Sequence, residues 1–342
     1  MTTQTAEQAK SDTEVPPLLI ADGLRMSYGP RVALRGLSFS LSAGRILGFL
    51  GPNGAGKTTA IRILTTMLVP SAGQFVVDGI SSSEPARIRQ RIGVLPENLG
   101  LPMQMTGVEY LTFFGQLYGR SPVEARARAL DILEDVGLHQ RGASRIRTYS
   151  HGMRQRLGIA RALVNDPVVI FLDEPTLGLD PRGQQELLAL IRRIARERGA
   201  AIVLCSHLLT EIEGVCDDVV ILNLGQVVAA GSVADVLGRA EQSVIQIRVD
   251  PSSVDAAIGI LARIRGVKRA AATDLLTGRL VVDLTDGGEL KQRAGAAGGD
   301  DALLRNRILA ALLKGGIPVI SFGSGESRLQ DLFLQVTDEV IS

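Results

Sequence analysis

The first fifty residues alternate short apolar runs with polar, Gly- or Pro-containing breaks, a pattern that predicts β-strands joined by turns. The apolar runs are Leu18 to Ala21, Val32 to Leu34, Leu37 to Leu41 and Ile46 to Leu50. Residues 1–17 are polar and end in Pro16-Pro17, so we expect a flexible N-terminal tail. Further on, the pattern predicts a helix over Lys57 to Leu68 and a strand over Phe75 to Val77.

Residues 99–165 differ from both flanks because helical periodicity dominates there. Thr106 and Glu109 have the spacing of a capping box, and Val123 to Val136 forms an amphipathic pattern. Ser150 is suited to cap a third helix that runs to Val164. The aromatic residues after Glu109 fit either a buried core or a docking surface, with a core favoured. We therefore predict a helical subdomain.

A continuous apolar run, Val168 to Leu172, predicts a strand that is buried on both faces and ends at Asp173-Glu174. The elements predicted after it are a helix over Pro181 to Arg198, a strand over Ala200 to Ser206, a helix over Leu208 to Val215, and strands over Val219 to Leu222 and Val227 to Ala230. This alternation predicts an α/β domain over residues 18–238. Ligands of such sheets bind at the carboxyl ends of strands, so Asp173 and Glu174 are candidate functional residues.

The pattern changes again after Gly238, and residues 239–342 predict a second, smaller α+β domain. Its elements are a strand at Val244 to Val249, a helix at Val254 to Ile264, strands at Val267 to Ala272 and Leu280 to Leu284, a helix at Leu303 to Leu313, and a strand at Val319 to Phe322. This β-α-β-β-α-β order is typical of a ferredoxin-like unit. We also predict a loop over Thr285 to Asp301 and a closing helix over Arg328 to Val340. A packing or dimerising role is favoured.

Composition and charge narrow the possible functions. The 342 residues include 37 Lys and Arg against 36 Asp and Glu, and no Trp. Binding of nucleic acid would call for a basic surface and aromatic platforms, which this composition does not support. Cys205 and Cys216 lack metal-ligand spacing, so we interpret both as buried thiols in a reducing cytosol. Nowhere do about 18 apolar residues follow one another, so we expect no membrane span.

The segment between the strand ending at Leu50 and the next helix fits G-x-x-x-x-G-K-[ST], the phosphate loop called Walker A. It consists of Gly51, Pro52, Asn53, Gly54, Ala55, Gly56, Lys57, Thr58 and Thr59. The glycines let successive backbone N–H groups curl around an anion, and the helix N-terminus adds its positive end. Lys57 supplies charge for the outer phosphates, and the Thr58 hydroxyl suits a Mg²⁺ that accompanies the nucleotide.

The order of motifs resembles that of the ATP-binding subunits of ABC transporters. The motifs are the phosphate loop, the segment Ser150-His151-Gly152-Met153-Arg154-Gln155-Arg156, and the strand ending in Asp173-Glu174. The resemblance covers about Leu18 to Leu237 and implies a P-loop NTPase fold of ABC type. The C-terminal part is similar to the accessory domain of subunits that serve multidrug, antibiotic-resistance and gliding-type exporters.

The resemblance implies a role for each matching residue in binding ATP and Mg²⁺. Tyr28 matches the aromatic residue that stacks on adenine, Asp173 the carboxylate that holds Mg²⁺, and Glu174 the general base that polarises the attacking water. His207 matches the switch histidine that contacts the γ-phosphate. Glu97 stands where the family commonly has glutamine, and an acid there can still coordinate Mg²⁺ or water.

The segment at Ser150 departs from the family's commonest Ser-Gly-Gly-Gln, because His151 and Met153 occupy the second and fourth positions. Ser150 and Gly152 keep the hydroxyl and the close backbone approach at a helix N-terminus, so we expect γ-phosphate binding to survive. In the family this segment completes the site of the opposite subunit. Asp180 matches the loop that crosses to that subunit.

These features predict an ATPase subunit that drives a separate membrane permease, in an exporter, through ATP-driven dimer closure. The expected partners are permease subunits and a second copy of the chain or a related ATPase subunit, at the cytoplasmic face of the membrane; nucleic acid is not expected. Residues 99–120 are the expected contact with the permease. The alternative is a soluble ABC protein acting on ribosomes or nucleic acid. A catalytically dead module would lack Lys57, Asp173 or Glu174, and all three are present.

Overall fold

The computed structural model describes residues 16–206, 208–237, 244–274, 276–284 and 299–324. Contacts divide the chain into two compact units, with the division between Ala230 and Gly231. The predicted N-terminal tail lies almost entirely outside the described residues, and so does the predicted closing helix over Arg328 to Val340.

The first unit contains two β-sheets. Its strands are β1 (Leu19–Tyr28), β2 (Arg31–Leu41), β3 (Ile46–Leu50), β4 (Ala72–Val77), β5 (Ile80–Ser81), β6 (Ile92–Leu95), β7 (Val169–Asp173), β8 (Ala201–Cys205), β9 (Asp218–Asn223) and β10 (Gln226–Ser232). One sheet has the order β2-β1-β4-β5, and the other has the order β10-β9-β3-β8-β7-β6. In the larger sheet β3 pairs in parallel with β8 and β9, and β7 pairs in parallel with β6 and β8.

The helices of this unit are α1 (Lys57–Leu64), α2 (Pro85–Arg89), α3 (Gly107–Leu117), α4 (Pro122–Asp135), α5 (His151–Ala162), α6 (Pro181–Arg198) and α7 (Leu209–Val215). Most of them begin and end within about two residues of the predicted positions; α1 ends four residues before the predicted Leu68, and α2 was not predicted. Thr106 and Glu109 form the predicted capping box of α3, and the Ser150 hydroxyl accepts a bond from Met153 N at the start of α5. A second capping box, Ser121 with Glu124, begins α4 and was not predicted.

The N-terminal strands differ from the prediction. The sequence pattern predicted several short strands before Leu41, but β1 and β2 are continuous strands of 10 and 11 residues that pair from Leu19 with Leu41 to Tyr28 with Arg31. Gly23, which looked like a break, has φ +58 at a register irregularity, so the strand bends there without ending. The short strands β5 and β6 and the helix α2 were missed, because so few residues carry little periodicity.

The core of the first unit lies between the two sheets and α1. Phe49 and Phe171 are fully buried in the central strands, and Phe39 packs edge-to-face against Phe49 at 5.4 Å. Cys205 and Cys216 are buried free thiols, as predicted, and burial raises the pKa of both well above the usual range.

The large apolar residues of α3 divide between a buried and an exposed face. Tyr110 is 4% exposed and belongs to the core, whereas Phe113 and Leu117 are 49% and 64% exposed. Leu111 is also fully buried, and Phe114 is half-buried and packs edge-to-face against Tyr110 at 5.0 Å. The core interpretation therefore holds for one side of α3, and Phe113 and Leu117 lie on its exposed side.

The second unit has the predicted β-α-β-β-α-β order. Its elements are β11 (Val244–Val249), α8 (Val254–Leu261), β12 (Val267–Asp274), β13 (Arg279–Leu284), α9 (Gly299–Lys314) and β14 (Val319–Ser324). The strands form an antiparallel sheet of order β12-β13-β11-β14, and residues of both helices join its core. Helix α9 begins four residues earlier than the predicted Leu303, inside the segment that we expected to be a loop.

We predict that Gly93→Ala destabilises the first unit. A Cβ at Gly93 would lie 2.1 Å from the Ala162 carbonyl oxygen, a backbone atom that cannot move aside alone. Overpacking of this kind costs about 1–3 kcal/mol. Gly214→Ala in α7 is the control, because a Cβ there meets no atom within 4 Å. The measurement is the thermal unfolding midpoint, and equal midpoints for the two variants would contradict the prediction.

Candidate functional site

A cavity of about 570 Å³ lies at the carboxyl ends of the parallel strands, where β3 and β7 both end. Most of the predicted site residues line this cavity. They are Tyr28, Asn53, Gly54, Ala55, Gly56, Lys57, Thr58, Thr59, Glu97, Asp173 and Glu174. Because parallel pairing aligns strand ends at one sheet edge, residues that are more than a hundred positions apart in the chain share one pocket.

The phosphate loop joins the buried strand β3 to helix α1 and depends on glycine at two close approaches. A Cβ at Gly51 would lie 2.3 Å from the Leu222 carbonyl oxygen, and a Cβ at Gly56 would lie 2.6 Å from the Ala33 carbonyl oxygen. Gly56 also has φ +109 and stands at the N-cap of α1 without a side chain to cap the helix. The amide groups at the N-terminus of α1 therefore face the cavity available for an anion.

Lys57 is held against the loop that precedes it. Its ammonium group is 2.6 Å from the Gly51 carbonyl oxygen and 3.2 Å from that of Pro52, and the residue is only 8% exposed. An ammonium group has three donors, and the two carbonyls take two of them. Gly51 and Pro52 do not line the cavity themselves but hold Lys57 through their carbonyl oxygens, and one Lys57 donor is left for a phosphate oxygen.

Asp173 and Glu174 face the phosphate loop from the end of β7. Burial, followed by the charges of Glu174 and Glu97, raises the pKa of Asp173 to about 6, while Lys57 and Arg62 act in the opposite direction. Glu174 has φ +49, a left-handed conformation that is rare for a residue with a side chain and is found at functional sites. Its backbone N–H donates to the Cys205 carbonyl at 3.0 Å, which ties the strained residue to the end of β8.

Three oxygen donors suited to Mg²⁺ line the same cavity: the Thr58 hydroxyl and the carboxylates of Asp173 and Glu97. Within the described ranges, no group of three or more His, Cys, Asp or Glu side chains could hold a metal ion on its own. Mg²⁺ commonly binds through one or two carboxylates with substrate phosphates and water. The donors fit a Mg²⁺ that arrives with a nucleotide, and a divalent cation would relieve the repulsion that raises the pKa of Asp173.

The predicted adenine-stacking residue, Tyr28, lies at the rim of the cavity. It ends β1 and is 44% exposed. An exposed aromatic face beside a phosphate loop can stack on a flat base.

Ser150, Gly152 and Asp180 do not line this cavity. They lie in a second hollow of about 440 Å³ between the N-terminus of α5 and the start of α6. Asp180 caps α6 by accepting a bond from Gly183 N at 3.0 Å. The distance from His151 Nε2 to the Leu177 carbonyl oxygen is 2.8 Å. The structure therefore separates these three residues from the phosphate loop of their own chain. His207 lies outside the described residues.

Sequence reasoning missed two basic residues of the first cavity, Arg31 and Arg62. A Cβ at Gly54 would lie 3.7 Å from an Arg31 guanidinium nitrogen, so Arg31 reaches across the phosphate loop from the β1–β2 turn. Arg62 lies four residues after Thr58, one helical turn along α1, and this spacing was the available signal. For Arg31 the sequence held no comparable signal, since only the tertiary fold brings that turn to the loop.

Comparison with known proteins identifies the family of the chain. The ABC transporter family matches residues 34–177. The linearmycin resistance ATP-binding protein of Bacillus subtilis is 32% identical over 95% of this chain and 99% of its own length. The daunorubicin/doxorubicin resistance ATP-binding protein of Streptomyces peucetius is 33% identical over 95% of this chain and 94% of its own.

Solved structures are similar over about two thirds of this chain. An ATP-binding subunit of an ABC transporter has 31% identity and a TM-score of 0.57, over 64% of this chain and 91% of that one. A dimeric ATP-binding cassette in a post-hydrolysis state with ADP and Pi has 25% identity and a TM-score of 0.57, over 63% of this chain and 98% of that one.

No helix in the described part of the chain is long and apolar enough to cross a membrane. Full-length relatives above 30% identity and a phosphate loop that meets an acidic strand end lead to one conclusion. The chain belongs to the ATP-binding proteins of ABC transporters, the subunits that bind and hydrolyse ATP to drive transport.

Proposed function

We propose that the chain hydrolyses ATP·Mg²⁺ at a site completed by a second copy of itself, and thereby powers export through a separate permease. The observation that carries the ATPase part is the cavity that brings Lys57 and Thr58 together with Asp173 and Glu174. Lys57 serves phosphate binding, Thr58 and Asp173 serve Mg²⁺, and Glu174 serves hydrolysis.

Binding of the triphosphate rests on the phosphate loop. The backbone N–H groups of the phosphate loop, which Pro52 lacks, and the free donor of Lys57 meet the β- and γ-phosphates. Arg31 and Arg62 add positive charge, and Tyr28 stacks on adenine. When bound, Mg²⁺ neutralises phosphate charge, and Thr58, Asp173 and Glu97 are the residues that hold it.

Hydrolysis requires a water molecule aligned with the γ-phosphate. Glu174 accepts a proton from that water, and the strained backbone at this residue directs its carboxylate into the cavity. His207 contacts the γ-phosphate in this proposal, by its place after β8 in the sequence. Ser150 and Gly152, at the start of α5, are the groups that one copy presents to the γ-phosphate of the other, together with the neighbouring Asp180.

Transport as export rests on the relatives. Two of them, matched over 95% of this chain, are named for resistance to linearmycin and to daunorubicin and doxorubicin. A third, 39% identical over 63% of this chain and 67% of its own length, is named for Nod factor export in Ralstonia nicotianae. ATP-binding proteins of this family act with membrane permeases. We propose that this one sits on the cytoplasmic face of the membrane, bound to its permease through the exposed side of α3.

We predict that Glu174→Gln lowers ATP turnover at least about 100-fold while ATP binding is retained, because the amide cannot take a proton from water. Steady-state hydrolysis and binding of a fluorescent ATP analogue are the measurements. Glu197→Gln, an exposed acid on α6, is the control. Turnover at the wild-type rate in Glu174→Gln would remove that residue from the role of base.

The shared site can be tested by mixing two inactive variants. Lys57→Ala damages the phosphate loop, and Gly152→Asp places a negative side chain at the N-terminus of α5. A Cβ at Gly152 comes no closer than 3.7 Å to Leu179 Cδ2, so the chain itself tolerates a side chain there. A mixed dimer then has one site with both defects and one intact site. We expect single-turnover ATP hydrolysis to reappear on mixing.

Two further measurements complete that experiment. Gly152→Ala is the matched control for Gly152→Asp and should hydrolyse ATP alone. If mixing restores nothing although a tag carried by one variant alone co-purifies the other variant, each chain hydrolyses ATP with its own residues only, and the proposal of a shared site is wrong.

For the permease contact we predict that Leu117→Glu reduces recovery of an integral membrane protein with the chain, because it places a charge on the exposed apolar side of α3. Leu130→Glu on α4 is the matched control, since Leu130 is also exposed, at 46% against 64% for Leu117. Both variants should keep basal ATPase activity. Equal recovery of the membrane protein with the two variants would exclude this side of α3 as the contact.

A further inference from the structure

Three buried polar side chains that line neither cavity are hydrogen-bonded to one another. Thr176 is 1% exposed, Ser206 0% and Glu211 3%. We call this set the Glu211 cluster. Burying a carboxylate with two hydroxyl groups is costly unless they satisfy one another, and apolar residues could fill the same space.

The bonds within the Glu211 cluster are short and complementary. Glu211 Oε1 accepts from the Thr176 hydroxyl at 2.5 Å, and Glu211 Oε2 accepts from the Ser206 hydroxyl at 2.6 Å. The Ser206 oxygen in turn accepts from the backbone N–H of Leu208 at 3.0 Å. One carboxylate therefore joins the loop after β7, the end of β8 and helix α7.

The two oxygens of this carboxylate bind residues close in sequence to Glu174 and His207, the residues proposed to act in hydrolysis. Thr176 stands two residues after Glu174, and Ser206 stands immediately before His207. Glu174 has a left-handed backbone, φ +49, which persists only where the surroundings hold it. The bond from Glu174 N to the Cys205 carbonyl, 3.0 Å long, joins the same two segments from the other side.

The Glu211 cluster has no hydrogen bond to the phosphate loop among those described. Its bonds reach only the loop after Glu174, the end of β8 and the start of α7. Disturbing it should therefore move the groups that act on water and on the γ-phosphate, while the amides and Lys57 that bind ATP stay in place.

We propose that Glu211 is a positioning residue for ATP hydrolysis, which fixes the backbone just after Glu174 and at the end of β8 by holding Thr176 and Ser206. This rests on the proposed roles of Glu174 and His207. Displacing a reacting group by about 1 Å costs roughly 100-fold in rate. Loss of either hydrogen bond of the Glu211 carboxylate lowers kcat and leaves the affinity for ATP unchanged.

The test uses the full chain and a matched pair at Thr176. Thr176→Val removes the hydroxyl at nearly constant volume, and Thr176→Ser keeps it. Thr65→Val is the control, because Thr65 is also buried and its hydroxyl donates to the Ile61 carbonyl at 2.7 Å, away from the cluster. We measure kcat, KM, the dissociation constant of a fluorescent ATP analogue, and the thermal unfolding midpoint of each variant.

We expect Thr176→Val to lower kcat about tenfold or more with the dissociation constant nearly unchanged, and Thr176→Ser to restore kcat. Glu211→Gln, which cannot accept from both hydroxyls in the same arrangement, should resemble Thr176→Val. Should Glu211→Gln fail to fold, Thr176→Val and Thr176→Ser still test whether the hydroxyl that Glu211 holds is needed for a normal kcat. The proposal is overturned if Thr176→Val has the kcat of Thr65→Val, or if kcat and ATP binding fall together.

Glu174→Gln in the same assays separates this inference from the proposed function. If Glu174→Gln still turns over ATP, the assigned base is wrong. If Glu174→Gln is inactive and Thr176→Val is as active as Thr65→Val, only the positioning role of Glu211 is wrong.

Discussion

The structure depends on one electrostatic constraint, that backbone amides, a lysine and several carboxylates must lie around the same small volume. Parallel pairing of β3 with β8, and of β8 with β7, satisfies it by ending the phosphate-loop strand and the acidic strand at one edge. Burial of Asp173, followed by repulsion from the neighbouring carboxylates of Glu174 and Glu97, raises its pKa to about 6. Such a site is unfavourable when empty and is relieved by a cation that accompanies an anionic phosphate.

The first cavity contains only part of the predicted site. The residues expected to contact the γ-phosphate from above, Ser150 and Gly152, lie in a second hollow of their own chain. The loop from Glu174 to Asp180 connects the two places: Glu174 and Leu177 line the first cavity, and Gly178 to Asp180 line the second. A change in the position of this loop therefore alters both surfaces at once.

Much of the fold and of the candidate site could be predicted from short sequence motifs. The phosphate loop, the capping box at Thr106, the N-cap at Ser150 and the acidic pair at Asp173 each depend on neighbours within a few residues. The errors arose where neighbours are distant in sequence. β1 and β2 read as fragments because their polar positions face away from the core, and only pairing shows them to be continuous. Arg31 reached the site through that same pairing, so it could not have been found earlier.

The Glu211 cluster is the clearest case of a feature that only the tertiary structure reveals, and it also bears on how the loop is held. A strained residue such as Glu174 relaxes unless its flanks are fixed, and local bonds in a seven-residue loop are too few to fix them. Glu211 supplies an anchor from another element, on a short helix that follows β8. Since its other oxygen holds Ser206, any movement that weakens one bond shifts the second, and the loop after Glu174 moves together with the end of β8. A buried carboxylate couples them more directly than apolar packing could, because its two oxygens are rigidly joined.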